Sequence, residues 1–198
     1  MNGNPRIPRE PGAPPAPPTA KTALRPALLA LRRALDADLI ARWDAAIGAR
    51  VLDWCRAGAV EDLGVYWPLA GEPDLRAAYA ELAAGGVRLA LPVVLEKAAP
   101  LGFSAWTPGE AMVKDGKGVA VPAQLRLGAR PAARLVPCLG FNAARLRLGY
   151  GGGFYDRTLE ALPRPATLGV AYSCLAAQFD GDAHDIALDA IVTEEGMV

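Results

Sequence analysis

Short apolar runs alternate with stretches of helical periodicity along this chain. That alternation restricts it to folds built on a largely parallel sheet covered on both faces. The runs are "LGVYWPL", ending at Trp67-Pro68, then "VRLALPVV", "LGFSAW", "RLVPCLGF", "ATLGVAY" and "LDAIVTEE". Between them lie the helical patterns. Leu24, Leu28, Leu31 and Leu35 recur at three- and four-residue steps, and Leu39, Trp43, Ile47, Val51 and Trp54 form a second stripe behind Asp36, an N-cap residue. Pro26 is tolerated only in a first turn, so the first helix is expected to begin near Arg25. "PDLRAAYAELAA" reads as a helix stopped by Gly85-Gly86, another is expected from about Gly153 to Leu162, and "SCLAAQF" reads as a short one. Residues 107–131 read as a loop-rich excursion. The expected fold class is α/β, a single three-layer domain with a mostly parallel central sheet flanked by helices.

Residues 1–20 are rich in Pro, Gly and Ala and carry Ile7 as their only large apolar side chain beyond Met1. Such a segment cannot bury enough surface to offset its ordering entropy, so a disordered tail is expected there and one domain over residues 21–198. The apolar content of 52% and a positive mean hydropathy suit a packed core. Lysine and arginine number 21, as do aspartate and glutamate, so no global field recruits nucleic acid or an anionic membrane. An anionic ligand must be met by local cations. Cys55, Cys138 and Cys174 are odd in number and far apart, which fits free thiols in a reducing cytoplasm and no zinc site. No apolar run approaches the ~18 residues of a membrane span, and no secretory signal is expected. A cytoplasmic monomer is the expectation.

Residues 149–153, "GYGGG", hold four glycines in five positions, expected after a buried strand and before a helix. There, backbone N–H groups and the helix dipole converge on an anion, and glycines let phosphate oxygens approach the backbone. The carboxyl ends of strands are also where open α/β sheets bind ligands. A flexible turn is the plain alternative. The run is not a Walker A loop, because Phe154-Tyr155 stand where Lys-Ser/Thr would follow. Nor is it the dinucleotide fingerprint, which needs glycine at the place of Phe154. From the residues alone it is an anion-binding loop for a nucleotide phosphate.

"VPCLGFNAARLRLGYGGGFYDRTL" resembles the hallmark segment of the 5-formyltetrahydrofolate cyclo-ligases. The resemblance extends from Lys21 to the end through "KTALRPALLALRRAL", "YWPLAGEPDL", "GVAVP" and "HDIALDAIVTEEG". It implies one α/β domain that binds MgATP and a reduced folate in a single cleft. The activity implied is the ATP-dependent cyclisation of 5-formyltetrahydrofolate to 5,10-methenyltetrahydrofolate, with release of ADP and phosphate. Two other readings stay open: a paralogue activating another formamide or carboxylate, and a non-catalytic folate or nucleotide binder.

The resemblance assigns ATP to Lys21, Arg25 and residues 147–155, that is Arg147, Leu148, Gly149, Tyr150, Gly151, Gly152, Gly153, Phe154 and Tyr155. Lys21, Arg25 and Arg32 share a helical face; without the resemblance they would be a solvated basic face. It assigns the pterin to Trp67, a flat apolar wall, and to Glu72, an acceptor for the donor-rich pterin edge. Glu72 otherwise reads as a dipole-favourable acid at a helix start. Asp156 and Asp189, which alone would be read as caps, are assigned to Mg²⁺. His184, the only histidine, reads as a structural hydrogen-bonder. Some relatives carry a cation within the glycine run, where this chain has Tyr150 and Gly152.

Overall fold

The computed structural model describes residues 20–198. The expected tail therefore lies outside the described residues, Ala20 excepted. Two helices open the fold, α1 (Ala20–Arg33) and α2 (Ala37–Ala57). Asp36 caps α2 as its residue type predicts, its carboxylate accepting from the N–H groups of Asp38 and Leu39. α1 begins earlier than Pro26 suggested and carries that proline inside it. A helix-interior proline costs ~3 kcal/mol. Contacts on both sides of it offset that cost: Lys21 and Arg25 are tied down ahead of Pro26, and Leu28 and Arg32 are buried after it. The expected leucine stripe is also shifted. Leu31 is exposed, while the face containing Lys21, Leu28 and Arg32 turns inward.

Six strands form the central sheet in the order β10-β9-β6-β1-β2-β3. They are β1 (Asp62–Gly64), β2 (Arg88–Val93), β3 (Gly102–Trp106), β6 (Ala133–Pro137), β9 (Ala166–Val170) and β10 (Ala190–Val192). Every pairing is parallel except β2 with β3, an antiparallel pair running from Val93↔Gly102 to Leu89↔Trp106. Between β1 and β2 lies α3 (Arg76–Ala84), which ends at Gly85 as expected but starts three residues after Pro73. The excursion of residues 107–131 contains a hairpin, β4 (Met112–Lys114) with β5 (Ala120–Pro122).

The period-2 alternation of buried strands divides the core between two faces. Leu135 and Val192 join the larger cluster under α1, α2 and α3. Their neighbours Val136 and Ile191 join a smaller cluster on the opposite face, with Leu159 of α4 (Phe154–Leu159). Helices thus cover both sides, giving the three layers expected. "RLVPCLGF" is not one strand. It splits at Pro137 into β6 and β7 (Gly140–Phe141), and β7 pairs antiparallel with β8 (Arg147–Leu148) outside the main sheet. "SCLAAQF" forms only a single 3₁₀ turn, Ser173–Leu175. No helix among the described residues is long and apolar enough to cross a membrane.

Candidate active site

A cavity of about 830 Å³ opens above the carboxyl ends of β1, β2 and β6, lined by Trp67, Pro92 and Pro137 from those strand ends. Its volume lies in the range of small-molecule sites. Residues 147–156, including the whole glycine run, line it, as do Lys21, Arg25 and Glu72. The sequence-predicted residues therefore converge in one place, with the exception of Asp189.

The glycine run leaves β8, whose Arg147 and Leu148 are both buried. Its backbone is held from outside. Arg25 Nε donates to the Gly149 carbonyl at 2.8 Å, and Arg157 Nη2 donates to the Gly152 carbonyl at 2.6 Å. Gly151 has φ +90°, a conformation that costs residues with a Cβ. At Gly149 an added Cβ would fall 2.4 Å from Arg147 Nη1. The helix that follows is shorter than expected, six residues rather than about ten, and no side chain caps it. So short a helix brings a small dipole to an anion. The positive charge of the site comes instead from side chains, Lys21, Arg25 and Arg147 among them.

Two of those cations, Arg147 and Lys21, are held by acids. Arg147 Nη2 donates to Asp156 Oδ2 at 2.8 Å, and its guanidinium lies 5.1 Å from the Tyr155 ring centroid. The Lys21 ammonium, 8% exposed, pairs with Asp182 at 2.8 Å and also with Asp185. Burial works against its charge, but the two carboxylates outweigh that and hold its pKa above the ordinary lysine value. The basic face of α1 is thus a buried one. Asp182 and Asp185, like Lys117 of the β4–β5 turn, line the cavity and were not singled out in the sequence. Lys117 Nζ sits 5.0 Å from the Phe154 ring centroid. It stands directly before "GVAVP", but a single lysine in a polar turn carries no pattern of its own that marks it as a site residue.

Across the cavity, Trp67 packs edge-on against Trp106, with ring centroids 6.1 Å apart. Glu72 is 5% exposed and does not sit at the start of α3. Its Oε2 accepts from the Leu69 N–H at 2.9 Å, closing the turn, and its Oε1 accepts from the Tyr150 hydroxyl at 2.6 Å. The dipole reading of Glu72 does not hold, because three residues separate it from the helix. His184 is exposed and lines the cavity, and no hydrogen bond of its ring is found among the described residues, contrary to the structural role expected.

Asp189 is placed elsewhere. It lies just before β10, at the amino end of the strand, and does not line the cavity. Its carboxylate accepts from the Thr167 N–H at 2.7 Å and from Thr167 Oγ1 at 2.8 Å. It stitches β10 to β9 and is not brought to Asp156.

The 5-formyltetrahydrofolate cyclo-ligase family model matches residues 18–194. The chain belongs to that family. Two relatives named 5-formyltetrahydrofolate cyclo-ligase are each 29% identical to it. The match to the Mycolicibacterium smegmatis protein covers 87% of this chain and 93% of the relative. For Escherichia coli K12 the shares are 82% and 93%. A Mycoplasma pneumoniae cyclo-ligase is 44% identical, over a stretch that spans 31% of this chain and 38% of that protein. Two solved structures of 5,10-methenyltetrahydrofolate synthetases have the same fold. The Aquifex aeolicus protein superposes with a TM-score of 0.77 at 25% identity, over 89% of this chain and 91% of its own. The Mycoplasma pneumoniae protein gives 0.70 at 26% identity, over 89% and 99%. In this member of the cyclo-ligase family, Tyr150 and Gly152 leave the glycine run without a cation of its own, and Arg25 and Arg157 flank it from α1 and α4.

Proposed function

We propose that the protein cyclises 5-formyltetrahydrofolate to 5,10-methenyltetrahydrofolate with ATP, releasing ADP and phosphate. One observation carries the reading. A single cavity joins a glycine run flanked by Lys21, Arg25 and Arg147 to a wall formed by Trp67 and Glu72. The first half suits a polyphosphate and the second a flat heterocycle with donors on its edge.

An amide oxygen is a poor leaving group, so ring closure at the formyl carbon needs activation. The formyl oxygen attacks the γ-phosphoryl group, ADP leaves, and a phosphorylated imidate results. Folate N10 then adds to the formyl carbon, loses its proton, and the C–O bond breaks with departure of phosphate. No enzyme nucleophile is required. The protein's contribution is positioning and charge neutralisation. Arg25, Arg147 and the glycine-run N–H groups face the phosphates, and Lys21 joins them from α1. Trp67 and Glu72 hold the pterin so that its formyl oxygen meets the phosphoryl group.

Among the described residues no group of three or more His, Cys, Asp or Glu converges as a metal cage. Asp156 and Glu160, one helical turn apart, do line the cavity. That set fits Mg²⁺, which takes one or two carboxylates and completes its shell with phosphate oxygens and water. Asp156 would hold it with Glu160 beside it, and the ion would supply neutralisation of the polyphosphate. Asp189 has no part in this reading.

The test follows methenyl-folate absorbance with purified protein, with and without MgATP. Absorbance that rises only with MgATP, with stoichiometric ADP, supports the proposal. Nucleotide and folate binding without ADP release would favour a non-catalytic binder.

A further inference from the structure

Tyr150 lies in the middle of the glycine run, yet its hydroxyl crosses the cavity to the carboxylate of Glu72, 78 residues away. Its neighbours have no side chains of their own to pack. Gly149 and Gly151 flank it, and Gly151 has positive φ. The tyrosine is 45% exposed, so packing holds it weakly. Its hydroxyl is nevertheless a committed donor. Desolvation of its hydroxyl end, with the Glu72 charge next, pushes its pKa above the ordinary tyrosine value, so the phenol keeps its proton.

The acceptor is rigid. Glu72 is buried and its other oxygen is fixed by the Leu69 N–H. A carboxylate offers about four lone-pair sites. Two are in use, so a ligand donor in the cavity can bind beside Tyr150 without displacing it.

Arg32 supports both partners from beneath. It is 2% exposed, and its guanidinium lies 5.7 Å from the Tyr150 ring centroid. Its Nη2 donates to the Ala70 carbonyl at 3.1 Å, inside the turn that Glu72 closes. A Cβ at Gly71 would come within 3.2 Å of its Nε. Its Nε and Nη1 have no hydrogen-bond partner. A buried guanidinium with one hydrogen bond is costly by itself. Its favourable contacts include the Tyr150 ring and the 69–72 turn, so the cation ties the two together.

We propose that the Tyr150–Glu72 hydrogen bond, seated on Arg32, couples the two halves of the cavity, so that nucleotide and reduced folate strengthen each other's binding. The inference rests on Glu72 as the pterin acceptor. Phosphate on the glycine run orders the backbone that carries Tyr150, and Tyr150 then holds the Glu72 carboxylate in the geometry the pterin needs. The second ligand meets a site whose ordering entropy is already spent. Such coupling is reciprocal and typically amounts to about five-fold or more in affinity. Tyr150 acts here as a positioning residue through Glu72.

The experiment measures by calorimetry the dissociation constant of 5-formyltetrahydrofolate with and without a saturating, Mg²⁺-loaded β,γ-methylene ATP analogue. The wild type is compared with Tyr150→Phe, which keeps the ring over Arg32 and removes only the hydroxyl. Folate binding tightened about five-fold or more by the analogue in the wild type, and less than two-fold in Tyr150→Phe at unchanged melting temperature, is the expected result. An equal ratio in the two proteins overturns the coupling. So does a wild type in which the analogue weakens folate binding, because Tyr150 would then compete with the pterin. Glu72→Gln separates the two failures. Wild-type folate affinity in Glu72→Gln removes the reading on which the inference rests. Weakened folate affinity there, with equal ratios in wild type and Tyr150→Phe, removes the coupling alone.

Discussion

Arg147 and Asp156 clasp the glycine run at its base, Nη2 to Oδ2 at 2.8 Å, nine residues apart in the chain. The run is therefore a closed loop whose two ends carry a cation and an anion toward the same cavity. Asp156→Asn should lower activity most at limiting Mg²⁺ and should also cost stability. The Arg147 side chain is only 6% exposed and would lose its ionic partner. Breaking a buried pair costs roughly 3–5 kcal/mol, with the low end expected here because the amide oxygen still accepts a hydrogen bond. Activity against Mg²⁺ concentration and the melting temperature check both halves. Wild-type activity at limiting Mg²⁺ would remove Asp156 from the metal.

Gly151→Val should abolish nucleotide binding in a folded protein. The space beside Gly151 is not the obstacle, since an added Cβ would make only ordinary contacts with Arg25 at 3.7–3.9 Å. The obstacle is φ +90°, which a β-branched residue resists. The backbone would shift and carry its N–H groups out of line. Calorimetry with ATP that gives the wild-type dissociation constant would refute the loop as a phosphate cradle.

Glu72→Gln should weaken folate binding and leave ATP affinity nearly unchanged. The amide places a donor where the pterin presents donors, leaving polar groups unpaired at roughly 1–3 kcal/mol. At ~1.4 kcal/mol per decade this is about five- to a hundred-fold in affinity. The two dissociation constants, measured separately, are the check.

The thiols should sort by burial. Burial pushes the pKa of Cys55 to about 11 and that of Cys138 to about 12, from an ordinary 9.0. Cys174 is less buried. A chromogenic disulfide reagent at pH 8 should modify Cys174 first, and the other two only on unfolding. The sign of the linked stability follows. Above pH ~9 the unfolded chain releases these thiol protons while the folded chain retains them, so stability falls as pH rises from about 9 toward 11–12. Denaturant midpoints across that range test it, and a flat profile would contradict it.

Local periodicity made much of this structure legible. The spacing of Lys21, Arg25 and Arg32 placed three cations on one face of α1, and that face proved to be the inward one. Pro26 was weighed by its local cost alone, so the helix start was set too late. The antiparallel sense of β3 was not legible, because a buried strand has the same apolar composition in either direction. Nor was the β7–β8 hairpin, whose strands of two residues are too short to show a period. Asp189 misled because an aspartate ahead of a strand looks the same whether it meets a metal or Thr167 on the neighbouring strand. The Tyr150–Glu72 and Lys21–Asp182 contacts span 78 and 161 residues, and such pairs leave no local trace.

Pro26 has one consequence for protection from solvent exchange. The residue carries no amide hydrogen, so α1 lacks one rung between the turn holding Lys21 and Arg25 and the turns that bury Leu28 and Arg32. Two levels of amide protection should therefore share one continuous helix. The later turns should open only with the core, whereas the earlier ones are secured by the Lys21–Asp182 and Arg25–Gly149 contacts. If the proposed nucleotide site holds, the Lys21–Arg25 turn is the part of α1 whose opening free energy a bound nucleotide would raise, which exchange measured with and without ATP checks.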